Sequence, residues 1–218
     1  MKRVLLLASA LVLVACGNVP GTGSSSPKGP ASAETVASNP SDFPGLQRCP
    51  ESGPYENYLK AEQAANSDQY DSDKKTWDNL KAGGADDSYV AVSAQNPSDC
   101  GQFGTGIPTN KVAYVFVVRF KDTASADSSY STASSGFHVS DSEVAQLKAA
   151  GATVTQGAAT GLGEKSLVLS VAISGESVDV AFWQNKQFEV ATVAFDMAAD
   201  APTVTHLRMP PIMLCDVD

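Results

Sequence analysis

Val112–Phe120 (VAYVFVVRF) constrains this chain more than any other stretch. On a strand, Tyr114, Phe116, Val118 and Phe120 share one face, and Ala113, Val115 and Val117 share the other. Both faces are apolar, so the strand is stable only when covered on both sides. The chain must therefore build a sheet with a layer on each face, with this run at its centre. Ser88–Ala94 (SYVAVSA) reads as a second strand. Between the two lies Gln95–Lys111, rich in Gly and Pro and containing Cys100. Connections of that length are uncommon unless stapled or functional.

The C-terminal half reads as a meander. Ser166–Ser174 (SLVLSVAIS) alternates Leu167, Leu169, Val171 and Ile173 on one face. Gly175-Glu176 fits a two-residue turn with Gly first, which sets Ile173 opposite Val178, Val171 opposite Val180 and Leu169 opposite Phe182. A turn around Asn185-Lys186 leads into Gln187–Phe195 (QFEVATVAF). There the apolar phase switches between Val190 and Val193, which predicts a bulge near Thr192.

Tyr55–Ala82 lacks Pro and Gly and reads as helix up to the stop at Gly83-Gly84. The cluster Asp68, Asp71, Ser72 and Asp73 is expected to split it in two. Asp122–Ser135 is rich in Ala and Ser and weakly helical at best. Ser140-Asp141-Ser142-Glu143 is a capping box that opens a helix running to Gly151. Helices followed by antiparallel strands give an α+β class, with a C-terminal β-meander packed against helices.

At the N-terminus, Lys2 and Arg3 precede an apolar run, Val4–Val14, too short to span a bilayer as a helix. It ends in Leu13-Val14-Ala15-Cys16, which resembles a bacterial lipobox. The resemblance implies a signal peptide over residues 1–15 and a lipid on Cys16, which becomes the first mature residue. Two acyl chains, each buried CH₂ contributing about 0.8 kcal/mol, give a stable anchor where one is marginal. The implied place is extracytoplasmic, attached to the cell membrane, or to an outer membrane if there are two. Loss of residues 1–15 removes two basic residues and no acid, leaving 13 basic against 24 acidic residues, a formal −11. Such a body stands off an anionic membrane surface.

Residues 16–41 are dominated by Gly, Ser and Pro and read as a disordered linker reaching on the order of 25–30 Å. A single domain is expected over 42–207 and an irregular tail over 208–218. In that tail Pro210-Pro211 forbids helix, and Ile212, Met213 and Leu214 follow without period. Residues after about Leu207 are expected to add little to the core. Gly161-Leu162-Gly163-Glu164, leading into the meander, resembles small actinobacterial-type lipoproteins with a PsbP-like α/β sandwich.

Three cysteines remain after Cys16. Cys49 and Cys100 both sit in turn-rich loops and are expected to pair in an exported protein, leaving Cys215 over. The acid excess argues against nucleic acid. No cofactor and no metal site is expected: His138 and His206 are far apart in sequence, and no C-x-x-C occurs.

Gly161–Ser166 fails as a phosphate loop because Glu164 stands where Gly must precede Lys-Ser. Ser72-Asp73-Lys74-Lys75 matches Ser-x-x-Lys but lacks the companion elements of penicillin-binding enzymes. Asp68, Asp71 and Asp73 lack the Gly turn and closing Glu of a calcium loop. With no catalytic residue assigned, the expected function is a lipid-anchored, non-catalytic module that binds a small ligand or an envelope protein. The alternative is an exported hydrolase assembled only in three dimensions, with His138 beside a carboxylate and a Ser.

Overall fold

A computed structural model of the protein describes residues 31–38, 43, 45–65, 67–102, 110–137, 139–157, 165–173 and 176–196. Val112–Phe120 forms β3, inside one seven-stranded sheet. The strands are β1 (Gln47–Arg48), β2 (Ala85–Ala94), β3, β4 (Thr153–Gly157), β5 (Ser166–Ile173), β6 (Glu176–Asn185) and β7 (Phe188–Phe195). Their order is β1-β2-β3-β7-β6-β5-β4, and every neighbouring pair is antiparallel. The chain thus leaves β3, starts again at the far edge with β4, and returns as a meander whose last strand closes against β3.

Both faces of β3 are covered, as its pattern requires. Ala113, Val115 and Val117 pack with Ala91, Val190 and Trp183 beneath α1 (Ala33–Ala37) and Phe43. Val112, Tyr114 and Phe120 pack on the opposite face with Tyr58, Leu59 and Trp77. Those three side chains come from α2 (Tyr55–Ala65) and α3 (Ser67–Ala82), and Ala126 of α4 (Thr123–Ser134) joins them. Phe120 has no exposed surface. Burial of one such ring contributes about 1.5–3 kcal/mol. α5 (Asp141–Ala149) opens on the expected capping box, with Ser140 and Glu143 bonded reciprocally, and stops at Gly151.

The α+β class and the antiparallel meander stand, and several details differ. The linker expected over 16–41 ends earlier, because α1 belongs to the folded unit. Ala33 and Ala37, one helical turn apart, are buried against the sheet. The Ala33 amide donates to Asp87 Oδ2 at 2.8 Å, and Arg48 Nη2 donates to the Ala37 carbonyl at 3.0 Å. Methyl-sized side chains let the helix backbone come close to the sheet, a packing that leaves no large apolar residue to see in sequence.

The α2–α3 division falls between Ala65 and Ser67, ahead of the aspartates. Residues 123–134 are a full helix, α4, whose first turn is capped by Asp122 Oδ1 accepting from the Ser125 amide at 2.7 Å. The β5–β6 register is displaced by two from the expectation, with Ile173 opposite Glu176 and Val171 opposite Val178. An even displacement keeps every side chain on its face, so the apolar stripe survives. No bulge occurs at Thr192: β7 runs in unbroken register with both β3 and β6. Its phase switch reflects cover on two sides, Val190 facing the α1 layer and Val193 the other. The signal-peptide and Cys16 assignments, the phosphate-loop glycines, His138, His206, Cys215 and the tail lie outside the described residues.

Candidate functional site

A disulfide joins Cys49 to Cys100, as the loop chemistry suggested. Its 51-residue separation closes the segment that carries α2, α3 and β2. Glu51 lies against these two sulfurs, but bonded cysteines offer no thiolate to a metal. A disulfide is compatible with an extracytoplasmic location. Among the described residues, no helix is long and apolar enough to cross a membrane.

Two polar constellations lie on the side of the sheet covered by α2, α3 and α4. The first is between α2 and α3. The Tyr58 hydroxyl lies 2.6 Å from Glu62 Oε1 and 3.0 Å from Asp73 Oδ2, and Gln69 Nε2 donates to Asp73 Oδ1 at 2.8 Å. Glu62 is only 3% exposed. Burial, and then the neighbouring Asp73 charge, push its carboxyl above the ordinary glutamate range, against the lowering bond from Tyr58. Tyr58 is pushed up as well, by burial first and by its bond to Glu62. One phenolic proton cannot serve two carboxylates at once, and Glu62 Oε2 has no partner among the described residues. This arrangement locks α2 to α3. Asp73 itself sits within a continuous helix.

The second constellation surrounds a cleft of about 330 Å³ between α3 and α4. Thr76, Asn79, Leu80 and Gly83 form one wall, and Ser125, Ser128, Ser129, Thr132 and Ala133 form the other, with Phe120 between them. α3 is positioned by Trp77, which is buried, sits 5.5 Å from the Tyr55 ring and donates from Nε1 to Glu56 Oε1 at 2.9 Å. α4 is positioned by the side chains on its inner face. Tyr130 stacks on Phe182 at 4.9 Å, Asp127 accepts from Gln184 Nε2 and Lys165 Nζ, and Ala126 is fully buried. The bond from Lys165, then that from Gln184, hold the Asp127 carboxyl below its ordinary range.

Gly84 lets the end of α3 approach the start of α4. Its φ is +106°, and a Cβ there would meet Lys121 Cε at 3.0 Å and Ser125 Oγ at 3.1 Å. Only glycine fits both demands.

Behind the α4 wall, Ser129 Oγ donates to Glu189 Oε2 at 3.2 Å. Glu189 is 5% exposed, and burial raises its carboxyl to about 7. Its Oε1 has no partner among the described residues, and neither does Oε1 of Gln184, the residue directly opposite it on β6. A buried carboxylate with one unpaired oxygen is costly, and protonation relieves part of that cost.

The hydroxyls in the walls are partly committed. Thr76 donates to the Ser72 carbonyl and Thr132 to the Ser128 carbonyl, both at 3.1 Å. These groups therefore turn acceptor lone pairs outward.

Of the motifs weighed in sequence, Ser72 and Lys75 are exposed on α3. Lys165 is tied to Asp127, and Ser166 opens β5, buried. Sequence reasoning missed Ser129, Gln184 and Glu189. The available signal was the single acid within QFEVATVAF, on the side of the strand that faces α4. No protein-family model matches this chain, and no curated protein matches it.

Proposed function

We propose that this chain is a lipid-anchored extracytoplasmic protein whose folded domain binds a small ligand or an envelope protein without transforming it. The observation that carries the anchoring is Leu13-Val14-Ala15-Cys16 at the end of the apolar run Val4–Val14. The Cys49–Cys100 disulfide is compatible with the same compartment. Support for binding comes from the cleft between α3 and α4, whose size sits at the lower end of small-ligand sites. Its Thr76 and Thr132 hydroxyls give their protons to backbone carbonyls and not to a base, an arrangement suited to recognition.

In a detergent partition, Cys16→Ser moves the protein from the detergent phase to the aqueous phase. A variant that still follows the detergent overturns the anchoring.

One contact favours a second reading. Ser129 donates to a glutamate poised near neutral pH, and a nucleophile beside such a base is the start of a hydrolytic site. A fluorophosphonate probe distinguishes the two. Stoichiometric labelling at Ser129, lost in Ser129→Ala, establishes the hydrolase, whereas an unlabelled protein supports the binding module.

A further inference from the structure

We propose that Glu189 and Gln184 form a proton-operated switch that fastens α4 to the sheet: Glu189 shares a proton with Gln184 Oε1, and release of that proton turns the Gln184 amide away from Asp127. The switch sets how α4 is held, whatever the domain binds.

Two buried oxygens oppose each other here. Gln184 and Glu189 are paired directly across β6 and β7, both are buried, and Oε1 of each has no partner among the described residues. Side chains so placed have Cβ atoms about 5 Å apart, which puts their ends within reach of one another. With no proton between them, two acceptors cut off from water repel. Turning the Gln184 amide over does not cure this while Glu189 is neutral. Its Nε2 already donates to Asp127 Oδ1 and to the Lys186 carbonyl, the latter at 2.9 Å, and both would then face an oxygen. One proton on Glu189 Oε1, donated to Gln184 Oε1, satisfies both orphaned oxygens and breaks no bond. Ser129 still donates to Glu189 Oε2.

Ionisation reverses the preference. When the proton leaves to solvent, a full negative charge faces Gln184 Oε1, and the donor that can answer it is Gln184 Nε2. Asp127 loses less by giving up that bond than buried Glu189 gains, because Asp127 is half-exposed and keeps its ion pair with Lys165. α4 then retains Ser129 and Tyr130 against the sheet but loses its tie to β6. The charged and titratable groups around Glu189 hold their states meanwhile. Asp127 stays ionised, held low by Lys165 and then Gln184, and Tyr130 is pushed up by burial and then by Glu189. On β3 the residue opposite is Val118, and Arg119 turns to the other face, paired with Asp86. Glu189 itself, raised to about 7 by burial against the lowering bond from Ser129, loses its proton around neutrality.

The test is an NMR titration of the full chain from about pH 5 to about pH 9, following the Glu189 carboxyl carbon, the Gln184 side-chain amide and hydrogen exchange in α4 and β3. The Glu189 and Gln184 signals are expected to move together with one midpoint, at about 7. Across it, α4 is expected to lose about tenfold more exchange protection than β3. Glu189→Gln replaces the shared proton with a permanent N–H donor, so the Gln184 signal should stay constant and α4 should lose no more protection than β3. Asp127→Ala removes the tie, and its α4 protection should be low at both ends of the range.

A Glu189 carboxyl that stays ionised throughout overturns the proposal, as does a Gln184 amide that ignores the Glu189 titration. Both are read on the parent protein and need no variant. A parent whose α4 loses no more protection than β3, or an excess loss that survives in Glu189→Gln, overturns it as well.

Discussion

Glu189→Gln is the substitution with the most distinctive expected result. It preserves shape, removes a charge that burial disfavours, and places an N–H opposite Gln184 Oε1 across the β6–β7 pair. In the folded protein the Glu189 carboxyl titrates near 7, against an ordinary value of 4.5. Between these values the folded state holds a proton that the unfolded state has released. Stability from this group therefore falls as pH rises from about 4.5 to about 7, and is level outside that window.

At about 1.4 kcal/mol for each tenfold change, the span amounts to roughly 3 kcal/mol. Water reaching the α4 edge screens part of that, so we expect about 2 kcal/mol. Urea unfolding followed by fluorescence suits the measurement, because Trp77 and Trp183 are both buried. Near pH 4 the variant and parent should agree within about 0.5 kcal/mol. Near pH 8 the variant should be more stable by about 2 kcal/mol. Glu62, whose carboxyl is also raised by burial, slopes the same way in both proteins and cancels in the difference. A gap that does not change with pH, or a parent more stable near pH 8, refutes the reasoning.

Two further outcomes are expected. Replacing Cys49 and Cys100 together with Ser should lower stability by about 4 kcal/mol in the chain-entropy account, read from urea midpoints; non-reducing peptide maps should join these two cysteines and exclude Cys215 from the pair. Tyr58→Phe should cost about 1–3 kcal/mol by stripping a donor from Glu62 Oε1. The bond from Tyr58 favours the ionised Glu62 carboxyl, so this cost should grow as pH rises through the Glu62 titration; a cost that does not change with pH would refute this reading.

The parts of the fold legible in sequence are those carried by large apolar side chains and by glycine stops. Val112–Phe120 announced both layers through its two apolar faces, and Gly83-Gly84 and Gly151 marked two helix ends. What escaped was built from small residues. α1 docks through Ala33 and Ala37, and α4 through Ala126 with one tyrosine ring. Alanine methyls give no amphipathic signal, so both segments resemble linker when read alone. The Thr192 bulge was misread for a related reason. A change of apolar phase marks a bulge only if one face is covered, and β7 is covered on two. The site was less legible than the fold. Glu189 meets Ser129 across 60 residues, a distance no local motif spans.

The composition of α4 bears on how that helix is held. Its sequence, TASADSSYSTAS, is poorly suited to helix. Serine and threonine each cost roughly 0.5 kcal/mol relative to alanine at a helical position. Local propensity therefore does not hold this segment helical. The Asp122 cap does, together with the docking of Tyr130 on Phe182, Gln184 on Asp127 and Ser129 on Glu189. Ser125 shares in that cap, since its side chain also bonds the Asp122 carboxylate. Ser128 and Thr132 take no part in the anchors, so alanine there should raise helix propensity and leave the docking intact. A segment of such low propensity stays helical only while its cap and its inner face hold it to the sheet, so loss of Tyr130 or Asp122 should unfold α4 before the rest of the domain.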